Sequence, residues 1–149
     1  AALSNFGKNA GMFADRLSYR DAREHTEMIL TRTGMLDCRD LRASELSHGD
    51  QKILDIAIAL TLNPKILLLD EPTAGMAPDE RVKMMALLED LHQYFQLTTV
   101  FIEHDMDMVF GIAQKIRVLV QGELIAEGTP DHIRNHEAVV EAYLGKEVE

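Results

Sequence analysis

A chain of 149 residues, 46% hydrophobic and 27% charged, is long enough for one globular domain with a real core, which excludes a disordered or collagen-like protein. Twenty-five acidic against fifteen basic residues leave a formal charge of −10, which opposes the counterion release that nucleic-acid binding depends on, so DNA and RNA are not expected partners. The single cysteine, Cys38, permits no intrachain disulfide and fits a reducing cytosol. The most apolar tract, residues 53–69, is interrupted by Asn63, Pro64 and Lys65 and falls short of the roughly 20 apolar residues that span a bilayer. The start, Ala-Ala-Leu-Ser-Asn-Phe, has neither an initiator Met nor a basic n-region, and it predicts a piece of a longer protein rather than a signal peptide.

Residues 1–14 are small, glycine-containing and weakly patterned. Helical spacing through Ala22, Met28 and Ile29 predicts a surface helix over 21–32, ended by Gly34. Ser47 then opens an apolar helix through Ile53, Leu54, Ile56, Ala57, Ile58 and Leu60 that stops near Asn63-Pro64; being apolar nearly all round, it is expected to be mostly buried. The aliphatic run 65–69, between Pro64 and Asp70-Glu71, is too short for a helix and predicts a strand buried on both faces, hence a parallel sheet. Pro78 starts a helix whose stripe Val82, Met85, Leu88, Leu91 and Phe95 should pack on that sheet. Residues 98–102 predict a second buried strand, 105–114 a helix, and 116–120 with 123–126 a hairpin around Gln121-Gly122, followed by a helical tail capped by Thr129-Pro130. This order gives an α/β layer with a helical part at its N-terminal side, divided as residues 1–62 and 63–149.

Three constellations carry chemistry. In Leu46-Ser47-His48-Gly49-Asp50-Gln51 a hydroxyl, a glycine and first-turn backbone N–H groups converge on a helix N-terminus, which attracts phosphate. The same residues also read as a capping box with Ser47 as N-cap and Asp50 at the third helical position. Gly49 argues for close approach to the backbone, since glycine costs a helix about 1 kcal/mol relative to alanine. In the second constellation, Asp70 and Glu71 leave the C-terminal end of an apolar strand, where ligands of open α/β sheets bind. Alternation sends one carboxylate to each face, and burial of one without a partner is costly, so one of them should meet a cation. Asp70 suits Mg²⁺ as a hard oxygen ligand, through water, and Glu71 suits orienting or deprotonating an attacking water. The third is Glu103-His104-Asp105 at the end of the next strand, which neighbouring strands would bring beside Asp70-Glu71. His132 and His136 lie four apart with Ile133 between them and no evident third ligand, a solvated helix face rather than a zinc site. The methionines Met76, Met84, Met85, Met106 and Met108 read as core filler.

Taken in order, these motifs resemble the ATP-binding cassette ATPases. Leu-Ser-His-Gly-Asp-Gln is similar to the signature of that family, residues 66–70 with Glu71 to Walker B and its catalytic glutamate, and His104 to the switch histidine. Glu-Pro-Thr-Ala-Gly-Met-Ala-Pro, Ile-Glu-His-Asp-Met and the tail from Gly-Thr-Pro to Ala-Tyr-Leu-Gly more closely resemble the ATPase subunits of branched-chain amino-acid importers. The resemblance implies the C-terminal part of a P-loop, RecA-like nucleotide-binding domain, with ATP and Mg²⁺ as cofactors. Ser47, His48, Gly49 and Gln51 would bind nucleotide, Asp70 nucleotide and metal, and Glu71 and His104 would be catalytic. It also implies a second ATPase subunit and integral membrane permease subunits as partners, and a place on the inner face of the cell membrane held through the permease. The Gly-x-x-x-x-Gly-Lys-Ser/Thr loop does not occur in these residues: the pairs Gly7-Lys8 and Gly145-Lys146 lack both the earlier glycine and the following hydroxyl. Ala77 replaces an aspartate common in the family after Walker B. A non-catalytic interaction module without the phosphate loop is the alternative reading. A chromosome- or repair-type ATPase is disfavoured by the negative charge and by the lack of long heptad runs.

Overall fold

A computed structural model of the chain describes residues 12–144, with side chains from Tyr19 to Tyr143. The weakly patterned start up to residue 11, and the pairs Gly7-Lys8 and Gly145-Lys146, lie outside the described residues. The chain forms two compact units that divide between Ile102 and Glu103. Among the described residues no helix is long and apolar enough to cross a membrane.

The first unit runs α1 (Met12–Arg32), two 3₁₀ turns (Leu36–Cys38 and Ala43–Glu45), α2 (His48–Leu60), β1 (Ile66–Asp70), α3 (Pro78–Phe95) and β2 (Thr98–Ile102). Helix α1 begins ahead of the expected residue 21; i,i+4 ion pairs Arg20–Glu24 and Arg23–Glu27 support its exposed face, and Gly34 ends it with φ +70°. Its Arg32 guanidinium lies 3.7 Å over the Tyr94 ring and 3.4 Å from Asp90, which ties the end of α1 to α3.

Three packing expectations need correction. Helix α2 is not mostly buried: it buries Gly49, Ile56, Ala57 and Leu60, while Ile58 is exposed, because only one side of the helix meets the rest of the unit. The strands pair in parallel, Ile66 opposite Thr98 through Asp70 opposite Ile102, but they are not buried on both faces. Leu67 is buried, whereas Ile66, Leu68, Val100 and Ile102 on the opposite face are 50–73% exposed. The physical reason is that two strands offer two faces and the described residues of this unit cover only one. On α3 Leu88 and Leu91 of the expected stripe are buried and Met85 and Phe95 partly so, but Met84 joins them inward while Val82 points to solvent.

The second unit holds α4 (Met106–Ile112), β3 (Ile116–Val120), β4 (Glu123–Gly128), α5 (Pro130–Arg134) and α6 (Glu137–Val139), which continues as a π turn over Val140–Leu144. Asp105 caps α4, its carboxylate accepting the Met108 N–H at 3.1 Å. The hairpin turns at Gln121 and Gly122 with φ +51° and +85°, the two left-handed residues that a two-residue type I′ turn requires. Ile116, Val118, Ala126, Ile133 and Val139 form its core, and the Tyr143 hydroxyl donates to the Leu119 carbonyl at 2.7 Å, pinning the tail to the hairpin. His132 is exposed as expected, but His136 is half-buried, with its Nδ1 buried and lacking a hydrogen-bond partner among the described residues. The His132 ring lies where a side chain at Gly128 of the hairpin would stand. Met76, Met84 and Met108 are buried core residues.

Candidate functional site

In the first unit the start of α2 and the turn after β1 are linked by Lys52, which bonds the carbonyls of that turn, and by the His48 ring near Gly75. Ser47 is the N-cap: its Oγ accepts the Asp50 N–H at 3.1 Å and donates to the Asp50 carboxylate at 2.8 Å. To donate to a phosphate, the hydroxyl must release Asp50. Gln51 donates its amide hydrogens to the Ala43 and Leu46 carbonyls, both at 3.2 Å, and so holds the preceding loop against the helix. His48 is exposed, with its ring lying against Gly75, where a Cβ would stand 3.5 Å from Cδ2. That distance is ordinary contact, and the position favours glycine because Gly75 has φ +76°.

Gly49 is buried, and the close neighbour inferred from its glycine is internal. A Cβ there would come within 3.2 Å of Oε1 of Glu80, whose Oε2 accepts the Ala77 N–H at 2.9 Å at the start of α3. Ala77 therefore caps through its backbone, and the carboxylate that serves it is what occupies the space beside Gly49.

Asp70 ends β1 on the same bare face as Ile66 and Leu68, and both Asp70 and Glu71 are exposed, so neither carries the burial cost that would have demanded a cation. Glu71 leaves the strand alternation: its φ is +44°, a left-handed conformation that costs a non-glycine residue about 1 kcal/mol or more and is found disproportionately at functional sites. Its N–H donates to the Ile102 carbonyl at 2.9 Å, and its own carbonyl accepts the Ala74 N–H at 3.1 Å and the Lys52 ammonium at 2.8 Å. Lys52 and Asp70 also line one groove of about 300 Å³ between α2 and β1.

His104 belongs to the second unit. The Glu103 side chain is only 1% exposed, and its carboxylate accepts the His104 N–H at 3.2 Å, while the imidazole, 73% exposed, has Nδ1 4.0 Å away. Asp105, third in that motif, serves as the α4 cap.

Sequence reasoning missed Lys52, Gly75 and Glu80. Lys52 did leave a signal, as the one cation within the run from Gln51 to Leu60, directly after the motif.

Residues 3–74 match the family described as ABC transporter, and residues 123–149 the family described as branched-chain amino acid ATP-binding cassette transporter. The high-affinity branched-chain amino acid transport ATP-binding protein LivG of Salmonella typhimurium is 41% identical over 133 residues, 89% of this chain and 52% of that protein. BraF, of the same description, from Pseudomonas aeruginosa is 39% identical over 140 residues, 92% of this chain and 55% of that protein. Among solved structures, MJ1267, an ATP-binding cassette of an ABC transporter, superposes with a TM-score of 0.74 at 31% identity, covering 83% of this chain and 50% of that one. CbiO1 from Clostridium perfringens, part of the ABC transporter complex cbiONQ, does so with a TM-score of 0.78 at 26% identity, covering 99% and 55%. The chain spans about half the length of the curated relatives it matches.

Proposed function

The chain belongs to the ATP-binding cassette transporter family, with the fold of the C-terminal part of its nucleotide-binding domain, and we propose that it works within the ATPase subunit of an amino-acid importer of the branched-chain type. The observation that carries this reading is the pair Asp70-Glu71 at the carboxyl end of a parallel strand, with Glu71 held left-handed and its carbonyl bonded by Lys52 of α2. In that subunit, about twice this length, residues 1–62 carry the signature and 63–149 the later ATPase core.

Asp70 fits Mg²⁺ as one exposed hard carboxylate; among the described residues no group of three His, Cys, Asp or Glu could hold a metal, and Mg²⁺ asks for only one or two carboxylates beside substrate phosphates. When bound, the ion neutralises charge on the phosphate oxygens. Glu71 orients the attacking water and accepts its proton. Ser47, His48 and Gly49 offer a hydroxyl and first-turn N–H groups to the γ-phosphate of an ATP gripped by a second ATPase subunit, and the helix dipole favours that charge. Gln51 orders the loop leading to them. His104 is the candidate for a γ-phosphate contact. The assembly sits on the cytoplasmic face of the membrane through permease subunits, and nucleic acid is not a partner.

The test is Glu71→Gln in the full-length subunit. The amide keeps the shape but cannot accept a proton, so ATP binding should persist while kcat falls about 100-fold or more. Steady-state hydrolysis at the wild-type rate would remove Glu71 from the chemistry and, with it, this reading.

A further inference from the structure

The left-handed turn at Glu71 is not held by its own hydrogen bonds alone. One ammonium reaches it from α2: Lys52 Nζ lies 2.8 Å from the Glu71 carbonyl oxygen, 3.3 Å from that of Pro72 and 2.9 Å from that of Ala74. A lysine ammonium has three donors, and three carbonyls of one turn satisfy all of them. Each bond is charge-assisted, stronger than a neutral one, and the Lys52 side chain is partly buried where water competes less. The opposite side of Glu71 is fixed by its N–H on Ile102 of β2. Both backbone groups of this residue are therefore pinned, one to the neighbouring strand and one to α2, and its side chain projects from a backbone whose direction is over-determined.

Lys52 stands little more than one helical turn after the Ser47 cap, and the His48 ring of α2 also lies near the same turn, beside Gly75. We propose that Lys52 is a positioning residue for hydrolysis: it fixes the backbone of Glu71 and makes the α2 N-terminus and the Glu71 turn move as one body. This rests on the assignment of Glu71 to the attacking water. Phosphate contact at Ser47-His48-Gly49 then reaches Glu71 through a single side chain, and a turn released from Lys52 leaves the carboxylate free to leave the line of attack.

The experiment compares Lys52→Met, Lys52→Gln, Lys52→Arg and Glu71→Gln in the full-length subunit, by kcat, KM for ATP and thermal melting. Because misplacement of a reacting group by about 1 Å can cost about 100-fold, Lys52→Met should lower kcat by about tenfold or more while KM for ATP stays within about twofold. Lys52→Arg, which keeps charge and donors, should recover most of the rate, and Lys52→Gln, a shorter neutral donor, should fall between. A folded Lys52→Met variant with wild-type kcat overturns the inference, as do rates that track melting temperature rather than donor capacity across the three variants. If Lys52→Met does not fold, Lys52→Gln decides, and wild-type kcat in that variant overturns it. Loss of activity in Glu71→Gln beside full activity in Lys52→Met removes this inference alone, whereas full activity in Glu71→Gln removes the catalytic reading and this inference together.

Discussion

The two units bury their strands in different ways. In the second, an antiparallel hairpin folds its own helices over one face, and Ile116, Val118 and Ala126 are each less than a tenth exposed. In the first, two parallel strands hide Leu67 yet leave Ile66, Leu68, Val100 and Ile102 open to solvent. The difference follows from connection. A hairpin closes through two residues and its tail returns at once, whereas parallel strands need a crossover, here α3, and a single crossover helix covers one face of a sheet. The carboxylates Asp70 and Glu71 stand on the open unit, at a strand end, and the exposed imidazole of His104 belongs to the closed one.

The comparison is sharpened most by truncating the closed core. Ile133 is 1% exposed among Ile116, Val118, Ala126 and Val139, so Ile133→Ala should destabilise the second unit by about 2–5 kcal/mol, read from denaturant unfolding by a probe in the hairpin. A loss below about 1 kcal/mol would mean that the unit lacks the self-contained packing described.

Leu67 and Leu68 make the complementary test on one strand. Leu67→Ala should cost about 2–3 kcal/mol in the 149-residue chain, and Leu68→Ala less than about 0.5, since it removes apolar surface already in water. Equal costs by urea titration would break the one-sided description of the sheet.

At the α2 terminus the expected effects are smaller. Ser47→Ala should cost about 1 kcal/mol through the lost cap. Gly49→Ala should shift stability by less than about 1 kcal/mol, the helical gain being offset by displacement of the Glu80 carboxylate from the Ala77 N–H. Thermal melts of the chain measure both, and a loss above about 2 kcal/mol for Gly49→Ala would show that Glu80 cannot yield.

The smallest effect is one of pH. Hydrogen bonds from Lys115 and then Arg117 hold the Glu127 carboxyl below its ordinary value of 4.5. A carboxyl lowered on folding stabilises the fold above its unfolded pKa, and that contribution disappears as the pH falls through the lower folded value. The group is solvent-screened, so Glu127→Gln should cost only a little stability near neutral pH, and the difference from the parent should vanish as the pH falls well below about 4.5. A loss of the same size at acid and neutral pH would contradict the ion pairs.

Much was legible in the residues because it depends on neighbours in sequence. The stop at Gly34, the Ser47 and Thr129 caps, the Gln121-Gly122 turn and the strand at 98–102 all follow from local backbone preference and hydrogen bonding within a few residues. The motif order in Ser47-His48-Gly49, Asp70-Glu71 and His104 was enough to place the family. Burial was not fully legible: an aliphatic strand reads the same whether one face or two are covered, and which residue of the first turns of α3, Val82 or Met84, faces inward was set only by what lies beneath it. Nor could the sequence show that a carboxylate thirty-one residues away lies beside Gly49, or that Lys52 closes on carbonyls about twenty residues on. Periodicity and capping are written in residues one to four apart, so the sequence alone determined the elements and the identity of the chemical groups. Which faces stay bare, and how Glu71 is held, depend on contacts between distant segments, and those only the tertiary structure decided.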